Sequence, residues 1–284
     1  MNPFTPPNGH FTLNLGGKPA VFSRPAVMGI LNVTPDSFHA ASRLDSPRRA
    51  VERAAQMLAQ GADILDVGAC STRPGAEPAS EDEERSRLFP VLEALRGEWP
   101  EAIISVDTFR ASVAREAVER YGADIINDIS FLADPEMGDV VAETKAPYVL
   151  THNGAAPRGA AGVVSEMAFK LDALRDRGVA DVIADPGFGF DKTIDENYNI
   201  MRNLEAFASL ECPILVGVSR KRMTRLAPGT TVEGSLPATV ALNAVALMKG
   251  ASIIRVHDVE AAVQNVSIHL KLRSGEGKRN LKIW

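Results

Sequence analysis

The sequence predicts an α/β protein, a (β/α)8 TIM barrel preceded by a short N-terminal β-hairpin. Eight short apolar runs alternate with segments of helical periodicity across most of the 284 residues. Glycine recurs where a predicted helix gives way to a strand, and a polar or charged residue follows each apolar run. An open, doubly wound sheet is the alternative, but eight successive repeats favour the barrel.

Length and composition are compatible with one large core. The chain is 45% hydrophobic and 24% charged, and barrels of this length commonly form a single domain. We expect an N-terminal extension with the hairpin at residues 1–25, the barrel domain at 26–273 and a basic tail at 274–284.

The elements can be assigned in chain order. Two short alternating segments around Gly16 and Gly17, within residues 10–23, predict a hairpin that packs against the main fold or plugs it. Eight strands are predicted at 27–31, 64–67, 103–106, 124–126, 148–150, 182–184, 214–217 and 253–256. Helical periodicity is found at 48–60, 81–95, 111–121, 165–177, 197–209 and 236–248. Four glycines are expected to close helices in the left-handed conformation: Gly61, Gly122, Gly178 and Gly250.

Charge and terminal composition exclude several classes of protein. A net charge of −5 and a pI near 5.6 argue against binding to nucleic acid or to an anionic membrane, because both favour a basic surface. The first ten residues lack the pattern of a signal peptide, and no apolar run approaches the roughly 20 residues that span a bilayer. We therefore expect a cytoplasmic protein. Cys70 and Cys212 lack metal-ligand spacing and are expected to be reduced thiols.

Every predicted strand ends in a polar or charged group. In a barrel the carboxyl ends of all strands meet on one face, where active sites are built, so we expect these groups to surround one pocket. A charged residue can simply begin a loop. Asp107 and Asp185, however, directly follow apolar runs, where burying an acid requires a reason.

The residue types at the strand ends separate into three kinds of chemistry. Cationic side chains suit phosphate oxygens, and four are available: Arg73, Lys221, Arg255 and His257. Three others suit the amino and ring N–H donors of a flat heterocycle: Asp107, Asn127 and Asp185. Asn32 and Asp36 offer hard oxygens for Mg²⁺, which commonly binds one or two protein oxygens together with phosphate and water. No Ser-His-Asp order, P-loop or Gly-x-Gly-x-x-Gly fingerprint is present.

Seven motifs, taken together and in this order, resemble those of the dihydropteroate synthase family. They are MGILNVTPDSF at 28–38, STRPGAEP at 71–78, ISVDT at 104–108, INDIS at 126–130, ADPGFGF at 184–190, GVSRK at 217–221 and RVHDV at 255–259. The resemblance extends from about Val27 to Val263. Most of the motifs are weak singly, but the combination is highly specific.

The resemblance implies transfer of a dihydropterin-methyl group from its diphosphate ester to 4-aminobenzoate, giving 7,8-dihydropteroate and diphosphate in a homodimer. Lys221, Arg255, His257 and Asp107 would be the catalytic groups. The pterin would contact Asp107, Asn127, Asp185 and Lys221, and the diphosphate would contact Thr72, Arg73, Arg255 and His257. Asn32 and Asp36 would hold Mg²⁺. Loops that include Phe38 and Pro74 would shape the aminobenzoate pocket.

Four departures from the family pattern are visible. The segment at 151–157 replaces the usual Met-His-Met and its turn, and residues 39–41 replace a glycine pair. Asp191 stands where glycine is common, although Lys192 follows as usual. Arg222 stands where serine is frequent, and it would either attract the aminobenzoate carboxylate or point to solvent, which we favour.

Two other functions and several single residues are left open by the sequence. A pterin-binding methyltransferase barrel that serves a corrinoid partner would not need the cations at Arg73 and Lys221, and a non-catalytic pterin-binding paralogue would be compatible with the altered 151–157 segment. His152 is interpreted either as a site residue or as a hydrogen-bonded core histidine. We expect His269 at the surface and Asp66 in a role that organises the barrel.

Overall fold

The computed structural model describes residues 10–33, 46–70 and 79–274. Ten strands lie in these ranges: β1 (Phe11–Leu15), β2 (Lys18–Phe22), β3 (Ala26–Asn32), β4 (Ile64–Gly68), β5 (Ile103–Asp107), β6 (Ile125–Asp128), β7 (Tyr148–Thr151), β8 (Val182–Asp185), β9 (Leu215–Val216) and β10 (Ile253–Val256). The same ranges contain these α-helices: α1 (Ser46–Ala59), α2 (Glu81–Glu98), α3 (Ala111–Tyr121), α4 (Met137–Thr144), α5 (Gly159–Asp176), α6 (Ile194–Arg202), α7 (Arg222–Leu226), α8 (Leu236–Met248) and α9 (Val259–Ser274).

Strands β3 to β10 form one parallel sheet that closes into a barrel. Their order is β8, β7, β6, β5, β4, β3, β10, β9. A parallel bridge from Ala184 to Ile214 joins the two ends of the sheet, and the Ala184 N–H donates to the Pro213 carbonyl at 2.9 Å. The predicted barrel is confirmed, and the open sheet is excluded.

The N-terminal hairpin of β1 and β2 packs against the amino end of the barrel. Phe11 and Leu13 are buried in the same apolar cluster as inward-facing residues of the barrel strands, and the Asn14 N–H donates to the Asp181 carboxylate at 2.6 Å. The hairpin therefore plugs the barrel, as the sequence predicts, and it carries none of the predicted site residues.

Side chains inside the barrel change from apolar to polar along the strand direction. Residues alternate between the interior and the surrounding helices because successive strand side chains point to opposite faces. Ile64, Ile125 and Ile253 belong to the inner apolar cluster. Two residues further along the same strands, Asp66, Asn127 and Arg255 therefore also face inward. The carboxyl half of the barrel interior is thus a polar floor.

Several helix boundaries differ from the sequence prediction. The segment predicted as one helix at 197–209 divides into α6 and a 3-10 helix at Leu204–Leu210, because the Asn203 side chain bonds to the Asn199 carbonyl at 2.8 Å and competes with the helical pattern. Helix α5 begins six residues earlier than predicted. Its first turn is capped by α6, where Asn199 Oδ1 accepts the Ala160 N–H at 3.1 Å, a partner distant in sequence.

The remaining sequence predictions have mixed outcomes. Gly61, Gly122, Gly178 and Gly250 all have φ between 65° and 97°, which confirms them as left-handed helix ends. Both cysteines are free, and burial raises the pKa of each thiol to about 11. The prediction of a surface position for His269 is wrong: the residue is only 4% exposed because it lies on the same face of α9 as the buried Asn265 and Val266. Among the described helices, none is long and apolar enough to cross a membrane.

Candidate active site

Asp66 is the centre of the polar floor. It is fully buried and accepts hydrogen bonds from Ser105 Oγ at 2.6 Å, Asn127 Nδ2 at 3.1 Å and Arg255 Nε at 2.6 Å. These contacts join strands β4, β5, β6 and β10 across the barrel. The expectation that Asp66 organises the barrel is confirmed.

Arg255 joins Asp66 to Asp107. Its Nη2 donates to Asp107 Oδ2 at 2.7 Å while its Nε is held by Asp66, so two carboxylates fix the guanidinium plane. Burial raises the pKa of Asp107 to about 7, against the opposing charge of Arg255. Asp107, predicted to bind the heterocycle, and Arg255, predicted to bind phosphate, are therefore in direct contact. Their spacing along the chain could not reveal this contact.

Asp185 and Lys221 form the second part of the site, beside the loop after β8. Asp185 Oδ1 accepts the Gly187 N–H at 2.7 Å. Burial raises the pKa of this carboxyl, and the charges of Lys221 and Arg255 oppose the rise. Lys221 Nζ donates to the Phe188 carbonyl and lies 4.7 Å from the centre of the Phe190 ring. Burial lowers the pKa of Lys221 to about 8, so the amine is still mostly protonated at neutral pH.

His257 and Ser219 pair at the rim of the mouth. Ser219 Oγ lies 3.0 Å from His257 Nδ1 and accepts the His257 backbone N–H at 3.3 Å. Burial, together with the charges of Arg220 and Arg255, lowers the pKa of His257 to about 4. This lowered pKa does not support the expectation that His257 is a cation. With such a pKa, the imidazole would be uncharged at neutral pH and would interact through hydrogen bonds.

Arg220 lies beside this pair in a conformation that favours glycine. Its φ is 59°, and its Nη2 donates to Asp258 Oδ1 at 2.9 Å. Such backbone strain in a non-glycine residue is typical of functional turns, where the surrounding structure imposes it. Arg222, two residues further on, is exposed, which agrees with the expectation that it points to solvent.

The structure resolves the two interpretations of His152 in favour of a buried, hydrogen-bonded histidine. It is 1% exposed, its Nε2 lies 3.1 Å from Glu166 Oε2, and its ring lies 4.9 Å from the ring of Phe131. Burial lowers the pKa of His152. His152 lies next to the loop after β8, and it is not part of the floor formed by Asp66 and Asp107.

One part of the predicted site falls outside the described residues: Asp36, Phe38, Thr72, Arg73 and Pro74. Asn32 ends β3 with an exposed side chain and pairs in register with Gly68, whose Cα hydrogen faces Asp107. Within the described ranges, no group of three or more His, Cys, Asp or Glu side chains could hold a metal ion. A single amide oxygen at Asn32 still suits Mg²⁺ that is bound mainly by phosphate and water.

Sequence reasoning missed two contributors to the site. Ser219 appeared only within the motif at 217–221, although its contact with His257 defines the rim. Lys192 was noted only as a retained motif residue, yet its amine lies buried among three carbonyls. A lysine in a glycine-rich loop is normally expected at the surface, so the local sequence does not predict that Lys192 is buried.

Residues 28–257 match the family model described as "Pterin binding enzyme", so this parallel barrel, with buried carboxylates and cations at its carboxyl end, belongs to the class of pterin-binding enzymes. The chain is 43% identical to dihydropteroate synthase of Bacillus subtilis (strain 168) over 258 residues, which cover 86% of this chain and 88% of that protein. The chain belongs to the dihydropteroate synthase family.

Two further relatives place the chain within this family. A probable bifunctional folylpolyglutamate synthase/dihydropteroate synthase of Haloferax volcanii is 42% identical over 87% of this chain, which spans only 30% of that longer protein. The structure of Xanthomonas albilineans dihydropteroate synthase with 4-aminobenzoic acid is 35% identical and has a TM-score of 0.87, with coverage of 93% of this chain and 98% of that chain. The Xanthomonas enzyme is also known in complex with 7,8-dihydropteroate.

Proposed function

We propose that this chain condenses (7,8-dihydropterin-6-yl)methyl diphosphate with 4-aminobenzoate, giving 7,8-dihydropteroate and diphosphate in folate biosynthesis. The observation that carries the proposal is the convergence of Asp107, Asp185, Lys221 and Arg255 on one barrel mouth. Family membership and the ligands of the Xanthomonas enzyme, 4-aminobenzoic acid and 7,8-dihydropteroate, support it.

The floor would recognise the pterin through its polar edge. Asn127 uses its amide nitrogen on Asp66, so its amide oxygen is available to accept a ligand N–H. Asp185 accepts one backbone N–H and has further lone pairs for the amino and ring N–H groups of the heterocycle. Lys221 would donate to an acceptor on the same ring. Paired donors and acceptors on a flat heterocycle would thereby fix its orientation.

The rim, together with Arg255 of the floor, would stabilise the leaving diphosphate. Arg255 is fixed by two carboxylates and can direct its remaining N–H groups toward phosphate oxygens. His257 is neutral and would donate one hydrogen bond from Nε2. Because the arylamine is already a neutral nucleophile, we propose that charge stabilisation and positioning supply the catalysis without a strong general base. Thr72 and Arg73 are proposed to contribute on the same side.

Mg²⁺ is proposed as the metal ion, held through Asn32 and Asp36 beside the diphosphate. When bound, it would neutralise charge on the leaving group. Asn32 is exposed at the end of β3, so it is accessible to a metal ion. Titration of Mg²⁺ into the protein with diphosphate present, compared with an Asn32→Ala variant, tests this part: equal Mg²⁺ affinity in both proteins would exclude Asn32 as a ligand.

We also propose a homodimer formed through α8. This helix contains no charged residue, and Leu236, Val245 and Met248 on it are exposed, together with Ile268 and Leu272 of α9. Exposed apolar side chains on neighbouring helices are typical of subunit contacts. Met248→Glu should shift the protein toward monomer in sedimentation equilibrium. Phe169→Glu, at a 76% exposed position on α5, is the matched control and should leave the association unchanged. A cytoplasmic location remains a prediction from the sequence.

A direct assay separates this function from its alternatives. Purified protein incubated with the pterin diphosphate, 4-aminobenzoate and Mg²⁺ should form 7,8-dihydropteroate and release one equivalent of diphosphate. An Asp185→Asn variant should lose most of this activity because it removes a proposed pterin contact. Pterin binding without turnover would instead indicate a non-catalytic paralogue, and methyl transfer to a corrinoid acceptor would indicate the methyltransferase class.

A further inference from the structure

Lys192 is a buried amine that the proposed chemistry does not use. It is 6% exposed, and its Nζ donates to the carbonyls of His152 at 3.0 Å, Gly187 at 2.9 Å and Phe190 at 3.2 Å. Among the described residues, no carboxylate lies within ion-pair distance of it. Burying an ammonium group among carbonyls is costly unless every donor is satisfied, and here all three N–H groups have acceptors.

The three carbonyls belong to two different parts of the barrel mouth. His152 follows β7, whereas Gly187 and Phe190 lie in the loop after β8. Lys192 therefore ties the end of one strand to the loop that follows its neighbour. The two segments are in close contact even without the amine, because a Cβ added to Gly187 would lie 1.8 Å from the His152 carbonyl oxygen.

The loop held by Lys192 determines where Lys221 lies. The Phe188 carbonyl accepts from Lys221 Nζ, the Phe190 ring lies 4.7 Å from the same atom, and the Gly187 N–H donates to Asp185. The two proposed pterin-binding residues beside this loop, Asp185 and Lys221, thus depend on the backbone between Gly187 and Phe190. The Arg255 and His257 side of the site makes none of these contacts.

The local backbone directs the Lys192 side chain inward. Asp191 occupies the left-handed region, with φ of 48°, and turns the chain back over the loop. Asn197 secures the same turn, because its Nδ2 donates to the Lys192 carbonyl at 3.2 Å and its Oδ1 accepts the Gly189 N–H at 2.7 Å. The amine is therefore presented to the three carbonyls by a turn that is itself hydrogen-bonded.

We infer that Lys192 is a positioning residue that sets the pterin half of the site, by holding the loop on which Lys221 and Asp185 depend, and has no role in the diphosphate half. This inference rests on the proposed function. Burial lowers the pKa of Lys192 to about 8, so the amine remains largely protonated at neutral pH and can use all three donors. Removing it should loosen the loop while leaving the Asp66–Arg255–Asp107 contacts in place.

The inference is tested by measuring two ligand affinities separately. Lys192→Met should weaken binding of 7,8-dihydropteroate by roughly tenfold to a hundredfold, the scale expected for the loss of one hydrogen bond to a charged group. It should leave the affinity for inorganic diphosphate within about twofold. Lys192→Gln keeps a two-donor amide and should show an intermediate loss. It also keeps the test available if the methionine variant fails to fold. Lys18→Met, at an exposed position on the hairpin, is the matched control.

The outcomes distinguish this inference from the proposed function. If the unaltered protein binds no 7,8-dihydropteroate, the proposed function fails. If it binds and both Lys192 variants bind equally well, or if the two affinities fall together, the positioning role is overturned, because a general loss of structure would not separate the two ligands.

Discussion

Replacing Asp66 by asparagine should loosen the floor of the barrel without changing its shape. The carboxylate accepts from Ser105, Asn127 and Arg255. An asparagine amide can place its oxygen toward Asn127 and Arg255 and its nitrogen toward Ser105. The Ser105 hydroxyl then loses its acceptor, and the bond to Arg255 loses the negative charge that strengthens it.

The magnitude follows from these two losses. A hydrogen bond to a charged group contributes about 1.5–3 kcal/mol, and breaking a buried ion pair costs about 3–5 kcal/mol. Arg255 keeps its 2.7 Å bond to Asp107, which places Asp66→Asn below the full ion-pair figure, at about 2–4 kcal/mol. For a chain of this size, each kcal/mol corresponds to roughly 2–3 °C, so Tm should fall by roughly 4–12 °C.

Thermal unfolding followed by circular dichroism measures this loss, and calorimetric titration with 7,8-dihydropteroate measures its effect on the site. Asp172→Asn is the control, since that side chain is 72% exposed and its pair with Arg175 at 3.2 Å should contribute less than about 1 kcal/mol. An Asp66→Asn protein whose Tm matches that of the control would show that Asp66 does not hold Arg255 in the way argued above.

Two further predictions concern the loop after β8 and the rim. Gly187→Ala should destabilise the protein strongly in urea unfolding, since its φ is 71° and the new Cβ would meet the His152 carbonyl. Gly178→Ala, at φ 84° with open space around it, should cost only the strain of the left-handed conformation, about 1–2 kcal/mol. The pKa of His257, lowered to about 4, predicts that its NMR titration shows no protonation near pH 6.5. Because the folded state then binds fewer protons than the unfolded chain, the contribution of His257 to stability should be lost as pH falls from about 6.5 to 4, and His257→Gln should remove that dependence.

The barrel could be predicted because each unit signals itself locally. Apolar runs, helical periodicity and left-handed glycines such as Gly122 need only a few neighbouring residues to be recognised, and α3 and α8 match their predicted bounds. Helix α4, with eight residues, is too short to display a clear period and was not assigned. The early start of α5 depends on Asn199 of α6, a tertiary contact that no local pattern contains.

The site could be predicted as a set of residues but not as a set of pairs. Strand-end position correctly brought Asp107 and Arg255 to one mouth, yet the sequence assigned them to opposite ends of the ligand, whereas they bond to each other at 2.7 Å. The lowered pKa of His257 could not be predicted, because it depends on burial and on the nearby cations Arg220 and Arg255. Charge state is a property of the folded environment, so residue type alone cannot supply it.

The balance of charge in the described site indicates which half attracts each part of the substrate. The floor and its adjoining loop hold three carboxylates and three cationic side chains: Asp66, Asp107 and Asp185, with Arg255, Lys221 and Lys192. Their formal charges cancel, which suits an uncharged heterocycle that binds through directed hydrogen bonds. Since His257 is neutral, attraction of a multiply charged diphosphate requires cations beyond this set. Arg220 at the rim and Arg53, whose Nη2 donates to the His257 carbonyl at 2.9 Å, are two such cations, and Arg73 and Mg²⁺ are proposed to add to them. Diphosphate affinity should therefore fall with rising ionic strength far more steeply than the affinity for an uncharged pterin.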